Sequence, residues 1–113
     1  MIRDRLAQIF IESEIFRLTN YRSLTQVMKK GVPGPEGSIG KLQWVGVNQA
    51  LMEVVMDFEG PYSQLWQGSE YAIEDGKWQY QFLRSRANSI EGGTNEILMN
   101  IIAERVLGLP KLR

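Results

Sequence analysis

One segment of this sequence, residues 39–58, is apolar on almost every side when it is drawn as a helix. Its apolar members are Leu42, Trp44, Val45, Val47, Leu51, Met52, Val54, Val55, Met56 and Phe58. A helix that is apolar all round has to be covered on every side by other helices or other chains. The segment therefore predicts a helix, with Ser38 as its N-cap, at the centre of a helical packing.

The segments on either side of this helix also have helical patterns. Residues 2–30 carry two apolar rows at helical spacing, which predicts a long helix that is covered from two sides. The glycines and prolines of residues 31–37 end it. Residues 59–76 are typical of a surface segment with one short helical turn, whereas residues 77–89 and 95–107 predict two further helices. Trp78, Phe82 and Leu83 are the residues expected to point inward from the third helix.

These patterns predict one all-α domain over residues 1–113, most simply an antiparallel four-helix bundle. Three other helices are too few to cover a central helix on all its sides. Association with further chains is therefore expected from the pattern itself, because large exposed apolar surfaces are uncommon on monomers. Trp44, Trp66 and Tyr80 lie at spacings that favour a core position over a ligand-contact role.

The composition excludes several classes of function. Thirteen basic and thirteen acidic residues leave no net charge, so neither nucleic acid nor an anionic membrane is an expected partner. The sequence has no histidine and no cysteine, which argues against a zinc site, a histidine base and disulfides. The N-terminus lacks the pattern of a signal peptide, and no stretch is long and apolar enough to span a bilayer. A cytoplasmic location is expected.

The stretch from Ser89 to Pro110 carries the most functional information. Gly92 and Gly93 form a turn that a bulky or flat partner can approach closely, because glycine has no Cβ. Thr94 follows as an N-cap, and Glu96 places negative charge in the first turn of the last helix. A capped helix after a turn explains this spacing without any ligand. A turn of this kind is also a place where backbone N–H groups meet a ligand.

The full string resembles the C-terminal signature of the acyl-CoA dehydrogenase family. In that family a glycine–threonine turn opens the last long helix, and the residues from Ile101 to Pro110 match the end of that helix. A second block, residues 34–42, is similar to the branch often linked to sterol side-chain and other bulky acyl-CoA substrates. A third, residues 57–61, is similar to the glycine-containing end of the next family helix. The blocks occur in the family's order and span essentially the whole chain.

The resemblance implies a C-terminal helical domain of an FAD-dependent enzyme. Such enzymes remove an α-proton with a carboxylate base and transfer the β-hydrogen as a hydride to FAD, which converts an acyl-CoA into an enoyl-CoA. The domain supplies most contacts of a dimer or tetramer, and some relatives pair unlike subunits. The resemblance covers neither the N-terminal and β-domains nor the first helix of this domain. The chain alone is therefore expected to be inactive.

The same resemblance assigns roles to a few residues. Gly93 matches the glycine beside the substrate thioester, and Thr94 and Glu96 match residues that contact the cofactor. Gly60, with Glu59, matches the segment near the flavin of a neighbouring subunit. For Thr94 an N-cap role is compatible with the cofactor contact. For Glu96 a favourable helix-dipole charge is an equal alternative, and Glu59 is interpreted as a solvated loop carboxylate.

The catalytic base is not identified. In one branch of the family the base is a glutamate directly before the glycine–threonine pair, and here that position is Gly92. Glu91 lies one residue earlier, where its side chain points elsewhere, so a solvated turn residue is the preferred interpretation. In other branches the base lies on the domain's first helix, which this chain does not match. Arg84 and Arg86 are expected to pair with acidic neighbours rather than to bind a phosphate.

Two alternatives to an enzyme domain remain open at this point. The chain could be an assembly module that associates with itself or with dehydrogenase subunits without turnover. A weaker possibility is an unrelated four-helix signalling bundle. Bound flavin in the purified protein distinguishes the enzyme from both.

Overall fold

The structure is a computed structural model that describes residues 1–111, so the last two residues of the predicted 1–113 domain lie outside it. It has four α-helices: α1 (Ile2–Lys30), α2 (Gly37–Glu59), α3 (Lys77–Ser85) and α4 (Asn95–Ile101). Three short 3₁₀ turns, at Gly60–Gln64, Ile73–Gly76 and Arg86–Ser89, and one π-helical turn, Ile102–Val106, accompany them. Residues 1–111 contain no β-strand, and the predicted all-α class is confirmed.

Helices α1 and α2 form a long antiparallel hairpin. The N–H of Gly31 donates to the carbonyl of Val27 in a left-handed cap that ends α1 where the sequence predicts it. Near the other end of the hairpin, Arg5 of α1 forms an ion pair with Asp57 of α2. This hairpin is the framework to which the shorter helices are attached.

Helix α2 is the centre of the packing, as predicted, because it contacts α1, α3 and α4. Val45, Met52 and Val54 are buried on it, and Val45 is only 2% exposed. Trp44 and Phe58, however, are 38% and 78% exposed. The three neighbouring helices therefore cover most of α2 but leave two of its large apolar side chains exposed to solvent.

Several local predictions are wrong. Ser38 is not the N-cap of α2, since the helix begins after Glu36 and has no side-chain cap. The last helix is not continuous to Leu107, because it changes to π-helical geometry at Ile102. Leu83 does not point inward, as its side chain is 59% exposed. The aromatic residues expected in the core are also open, with Trp66 48% and Tyr80 56% exposed.

The molecule exposes more surface than a compact monomer of its mass. Its accessible surface is 8309 Å², whereas a folded chain of this mass exposes about 6,300 Å². Its radius of gyration is 17.6 Å, against about 13 Å for a compact domain of this length. The excess includes a series of large apolar side chains on α1: Leu6, Phe10, Ile11, Ile15, Leu18, Tyr21, Leu24 and Met28. This surface supports the expectation that other chains or segments cover the domain.

None of the helices in the described part of the chain is long and apolar enough to cross a membrane.

Candidate functional site

The glycine–threonine turn has the geometry that its sequence predicts. Gly92 and Gly93 have positive φ angles of 66° and 97°, and both are exposed. Thr94 then returns to extended backbone, and its Oγ1 accepts a hydrogen bond from the N–H of Ile97 at 3.3 Å. The predicted N-cap is confirmed. Since the hydroxyl accepts this bond, its own proton remains available to donate to a ligand.

Helix α2 holds this turn from one side through Lys41. The ammonium Nζ of Lys41 donates to the carbonyl oxygen of Gly93 at 2.9 Å and to Oδ1 of Asn95 at 3.3 Å. Lys41 is half-buried and lies in the second turn of α2. The turn is therefore attached to the central helix by a charged hydrogen bond, which is stronger than a neutral one.

A polar chain holds the residues just before the turn. Nδ2 of Asn48 donates to Oδ1 of Asn88 at 2.8 Å, and Nδ2 of Asn88 donates to Oε1 of Glu91 at 2.5 Å. Arg84 completes the chain with two hydrogen bonds to the Glu91 carboxylate, at 3.2 and 2.7 Å. The next residue of α2, Gln49, donates to the carbonyl of Ser85 at 3.0 Å. The residues just before Gly92 are thus held in place by side chains from both α2 and α3.

These contacts bear on Glu91 as a candidate base. Hydrogen bonds from Arg84 and then from Asn88 lower the pKa of the Glu91 carboxyl below its usual range. A carboxylate with a lowered pKa and several donors is a weak proton acceptor at neutral pH. The geometry favours a role for Glu91 in holding the turn rather than in proton abstraction.

Gly60 lies at the opposite end of α2 from this turn. Its backbone angles, φ 56° and ψ −127°, belong to a region that only glycine enters readily. From Lys41, which touches the turn, to Glu59, which ends α2, the helix axis spans about 27 Å at 1.5 Å per residue. Gly60 and Gly93 therefore do not form one compact site in this chain. This separation fits the expectation that Gly60 borders the flavin of a different subunit.

Glu59 is not the solvated loop carboxylate that the sequence suggested. It is the last residue of α2 and is only 6% exposed. Its Oε2 accepts from Nε2 of Gln79 at 2.6 Å, while its Oε1 and the Oε1 of Gln79 are buried without a hydrogen-bond partner. Burial raises the pKa of the Glu59 carboxyl above its ordinary value. Two buried acceptors without a donor are unfavourable for the folded state.

Glu59→Gln is therefore expected to stabilise the protein at neutral pH. The neutral amide removes a buried charge, a gain of about 1 kcal/mol, and its oxygen can still accept from Gln79. Since the folded-state pKa is raised, the stability from Glu59 is full below its ordinary pKa of 4.5 and is lost as the pH rises. Thermal unfolding should show a higher Tm for the variant near neutral pH and equal values in acid. The exposed Glu70→Gln is the control, and a lower Tm for Glu59→Gln at neutral pH would contradict the assignment.

The N-cap bond gives a second stability prediction. Thr94→Ala removes the side-chain oxygen that accepts from Ile97 and should cost about 1 kcal/mol in the free energy of unfolding. Thr94→Ser retains the hydroxyl and should restore most of this loss. Urea denaturation of the two variants measures the difference. Equal losses in both would show that the threonine methyl group, rather than the cap, matters.

The other charged candidates are accounted for. Arg84 pairs with Glu91 and Arg86 pairs with Glu53, which confirms that these arginines have acidic partners. Glu96 lies exposed in the first turn of α4. Its position suits both a helix-dipole charge and a cofactor contact, so its role remains a prediction.

The elongated helical hairpin and the glycine–threonine turn that it supports belong to a C-terminal domain of the acyl-CoA dehydrogenase type. Residues 1–107 match the family described as acyl-CoA dehydrogenase, C-terminal domain, and the chain belongs to this family. It is 38% identical over 111 residues to the acyl-CoA dehydrogenase IpdE1 of Mycolicibacterium smegmatis, covering 98% of this chain and 26% of that protein. It is 31% identical over 109 residues to the acyl-CoA dehydrogenase FadE34 of Mycobacterium tuberculosis, covering 96% of this chain and 14% of the relative.

Two solved structures share the fold. The crystal structure of the ChsE4–ChsE5 complex from Mycobacterium tuberculosis superposes with a TM-score of 0.82 at 23% identity, over 98% of this chain and 29% of that chain. A structure described as the Tcur3481–Tcur3483 steroid ACAD gives a TM-score of 0.84 at 21% identity, with the same coverage of 98% and 29%. The chain thus spans about a quarter of the length of IpdE1.

Sequence reasoning missed the residues that hold the turn. Lys41, Asn48 and Gln49 are the polar positions of α2 that reach the turn and its approach. A detectable signal was present, because Lys41 and Asn48 are polar residues of a largely apolar helix and lie about two helical turns apart. Polar side chains at such positions need partners, and here the partners lie at the site.

Proposed function

We propose that this chain provides the C-terminal wall of the flavin and substrate site of an FAD-dependent acyl-CoA dehydrogenase, together with part of its oligomer interface. The observation that carries the proposal is the turn at Gly92 and Gly93, which is exposed and yet held by Lys41 of α2 and, through Glu91, by Arg84 of α3. A turn held in one conformation loses less entropy when it binds a ligand. The match of residues 1–107 to the family provides the reaction class.

The residues present suit an FAD group. The Thr94 hydroxyl retains a proton that can be donated to a cofactor oxygen, and Glu96 follows in the same first turn of α4. Gly60 presents backbone without a side chain, and a Cβ built there would meet no atom within 4 Å. We therefore assign Thr94 and Glu96 to one flavin and Gly60 to the flavin of a neighbouring subunit. When bound, FAD supplies the hydride acceptor for α,β-dehydrogenation of an acyl-CoA thioester.

This chain's own contribution is orientation. Gly93 lets the backbone approach the acyl thioester, because it carries no Cβ and lies at the exposed tip of the turn. Holding reacting groups in the correct geometry can remove a large part of the activation barrier. No catalytic base is assigned within residues 1–111, because Gly92 has no side chain and the Glu91 carboxylate is engaged by Arg84 and Asn88.

We further propose a bulky acyl-CoA, such as one with a steroid-derived acyl group, as the substrate class. This rests on residues 34–42, whose glycine-rich turn and helix start are similar to the branch that takes such substrates. Purified full-length protein, with any subunit that copurifies, should oxidise bulky acyl-CoA thioesters faster than straight-chain ones. A preference for straight-chain thioesters would contradict the substrate class but not the reaction.

One observation favours a second candidate, an assembly module without turnover. The exposed apolar side chains of α1 and the large accessible surface are sufficient reason for association. Absorbance spectra distinguish the two functions. A flavin spectrum that is bleached on addition of acyl-CoA supports the enzyme, whereas a colourless oligomer supports the assembly module.

A further inference from the structure

The ammonium group of Lys41 is bound to the backbone of the candidate turn across a large sequence separation. It lies 2.9 Å from the Gly93 oxygen and 3.3 Å from Oδ1 of Asn95, and these partners are 52 and 54 residues away in the chain. Neither contact is a local helix interaction. A half-buried lysine held in this way loses side-chain entropy, which the contacts must offset.

The contact from Lys41 fixes the orientation of the whole Gly93–Thr94 peptide and not only the Gly93 oxygen. A trans peptide is planar, with its carbonyl and its N–H pointing in opposite directions. A donor that holds the Gly93 oxygen therefore also sets the direction of the Thr94 N–H. The glycine before it has no Cβ to restrict its torsions, so without an anchor this peptide plane could rotate. Lys41 thereby determines how the turn presents itself to a ligand.

The charge of Lys41 also matters. Removal of the α-proton of an acyl thioester places negative charge on the thioester oxygen, and fixed positive charge or polarised donors nearby stabilise that charge. An ammonium on the Gly93 carbonyl polarises this peptide and makes its N–H a stronger donor. A cation beside the first turn of a helix opposes the helix dipole, so an interaction with the dipole of α4 does not explain the lysine.

We propose that Lys41 is a positioning residue for the dehydrogenation reaction, which holds and polarises the Gly93–Thr94 peptide against the substrate thioester. The inference rests on the proposed function, because it requires that the turn borders the thioester. It adds Lys41, a residue of α2, to the residues that orient the turn.

The test uses the full-length protein with any copurifying subunit and compares three variants. Lys41→Met removes charge and donors at similar length, Lys41→Arg retains both, and Lys77→Met removes a lysine that pairs with Glu74 on the surface. For Lys41→Met we expect kcat to fall by about tenfold or more, with KM changed less than threefold. Flavin content and Tm should stay close to wild type, and Lys41→Arg should recover most of kcat. Lys77→Met should be unchanged in all four measurements.

Each result decides between the possibilities. Unchanged kcat in Lys41→Met would overturn the positioning role while leaving the proposed function standing. A Lys41→Met protein that does not fold, or that loses flavin and Tm together, would also overturn it, because the lysine would then be structural. A wild-type protein without flavin or acyl-CoA oxidation would contradict the proposed function and this inference with it.

Discussion

Gly93→Val is expected to abolish acyl-CoA oxidation in the full-length protein while leaving its helical content intact. Gly93 has a φ of 97°, which a β-branched residue enters only with a strain of about 1–3 kcal/mol. A Cβ there would lie 3.5 Å from Cδ2 of Leu98, which is an ordinary contact, so the core does not forbid the substitution. The loss should come from the surface of the turn, where valine would occupy the space proposed for the thioester. Steady-state turnover and circular dichroism measure the two effects.

Gly31→Val is the matched control for this prediction. Gly31 also has a positive φ, 76°, with nothing within 4 Å of a built Cβ, but it caps α1. It should therefore show a similar loss of stability with turnover retained. Near-normal turnover in Gly93→Val would contradict the substrate contact. Equal loss of turnover in both variants would show that general instability, rather than the turn, explains the effect.

Phe10→Glu is expected to break the native assembly into smaller species. Phe10 is 65% exposed on α1, in the same apolar series as Leu18 and Leu24, which are 58% and 55% exposed. If this series is buried between chains, a charge within it loses solvation without gaining a partner, and the loss of a hot-spot side chain at an interface costs about 2 kcal/mol or more. Light scattering after size-exclusion chromatography should show a lower mass at the same protein concentration.

Gln81→Glu tests whether added charge alone has this effect. Gln81 is exposed on α3, outside the apolar series of α1. Its substitution introduces the same charge and should leave the mass of the assembly unchanged. An unchanged mass for Phe10→Glu would show that this part of α1 faces solvent in the native protein.

Two helix ends, the end of α1 and the start of α4, were predictable from the sequence because strong local signals set them. Gly31 ends α1, and the proline-containing segment that follows prevents the helix from continuing. Thr94 begins α4 through a side-chain bond that a threonine at this spacing predicts. In both cases the deciding interaction is between residues a few positions apart.

The errors concern residues whose environment depends on distant parts of the chain. Glu59 looked like a solvated charge beside a glycine and a proline, but Gln79, twenty positions later, meets it in a buried contact. Ser38 is a good capping residue that lies inside the helix, because α2 starts at Gly37, two residues before the predicted segment. Trp44 and Tyr80 were predicted to be core residues on periodicity, which does not reveal whether a partner helix exists to cover them.

The residues of the candidate site also divide into those that the sequence predicted and those that it did not. The turn and its cap were visible in the sequence, since Gly92, Gly93, Thr94 and Glu96 lie within five consecutive residues. The supports from Lys41 and Asn48 were not, because they depend on the antiparallel packing that brings α2 beside the turn. The structure was therefore needed to identify the residues that support the site.

The proposed function depends most on whether this domain forms an oligomer around a shared flavin pocket. The most direct measurement is the molar mass of the natural full-length protein by light scattering, recorded together with its visible absorbance. We expect a dimer or larger assembly that elutes with the absorbance spectrum of bound flavin. A colourless monomer would contradict both the cofactor site and the interface.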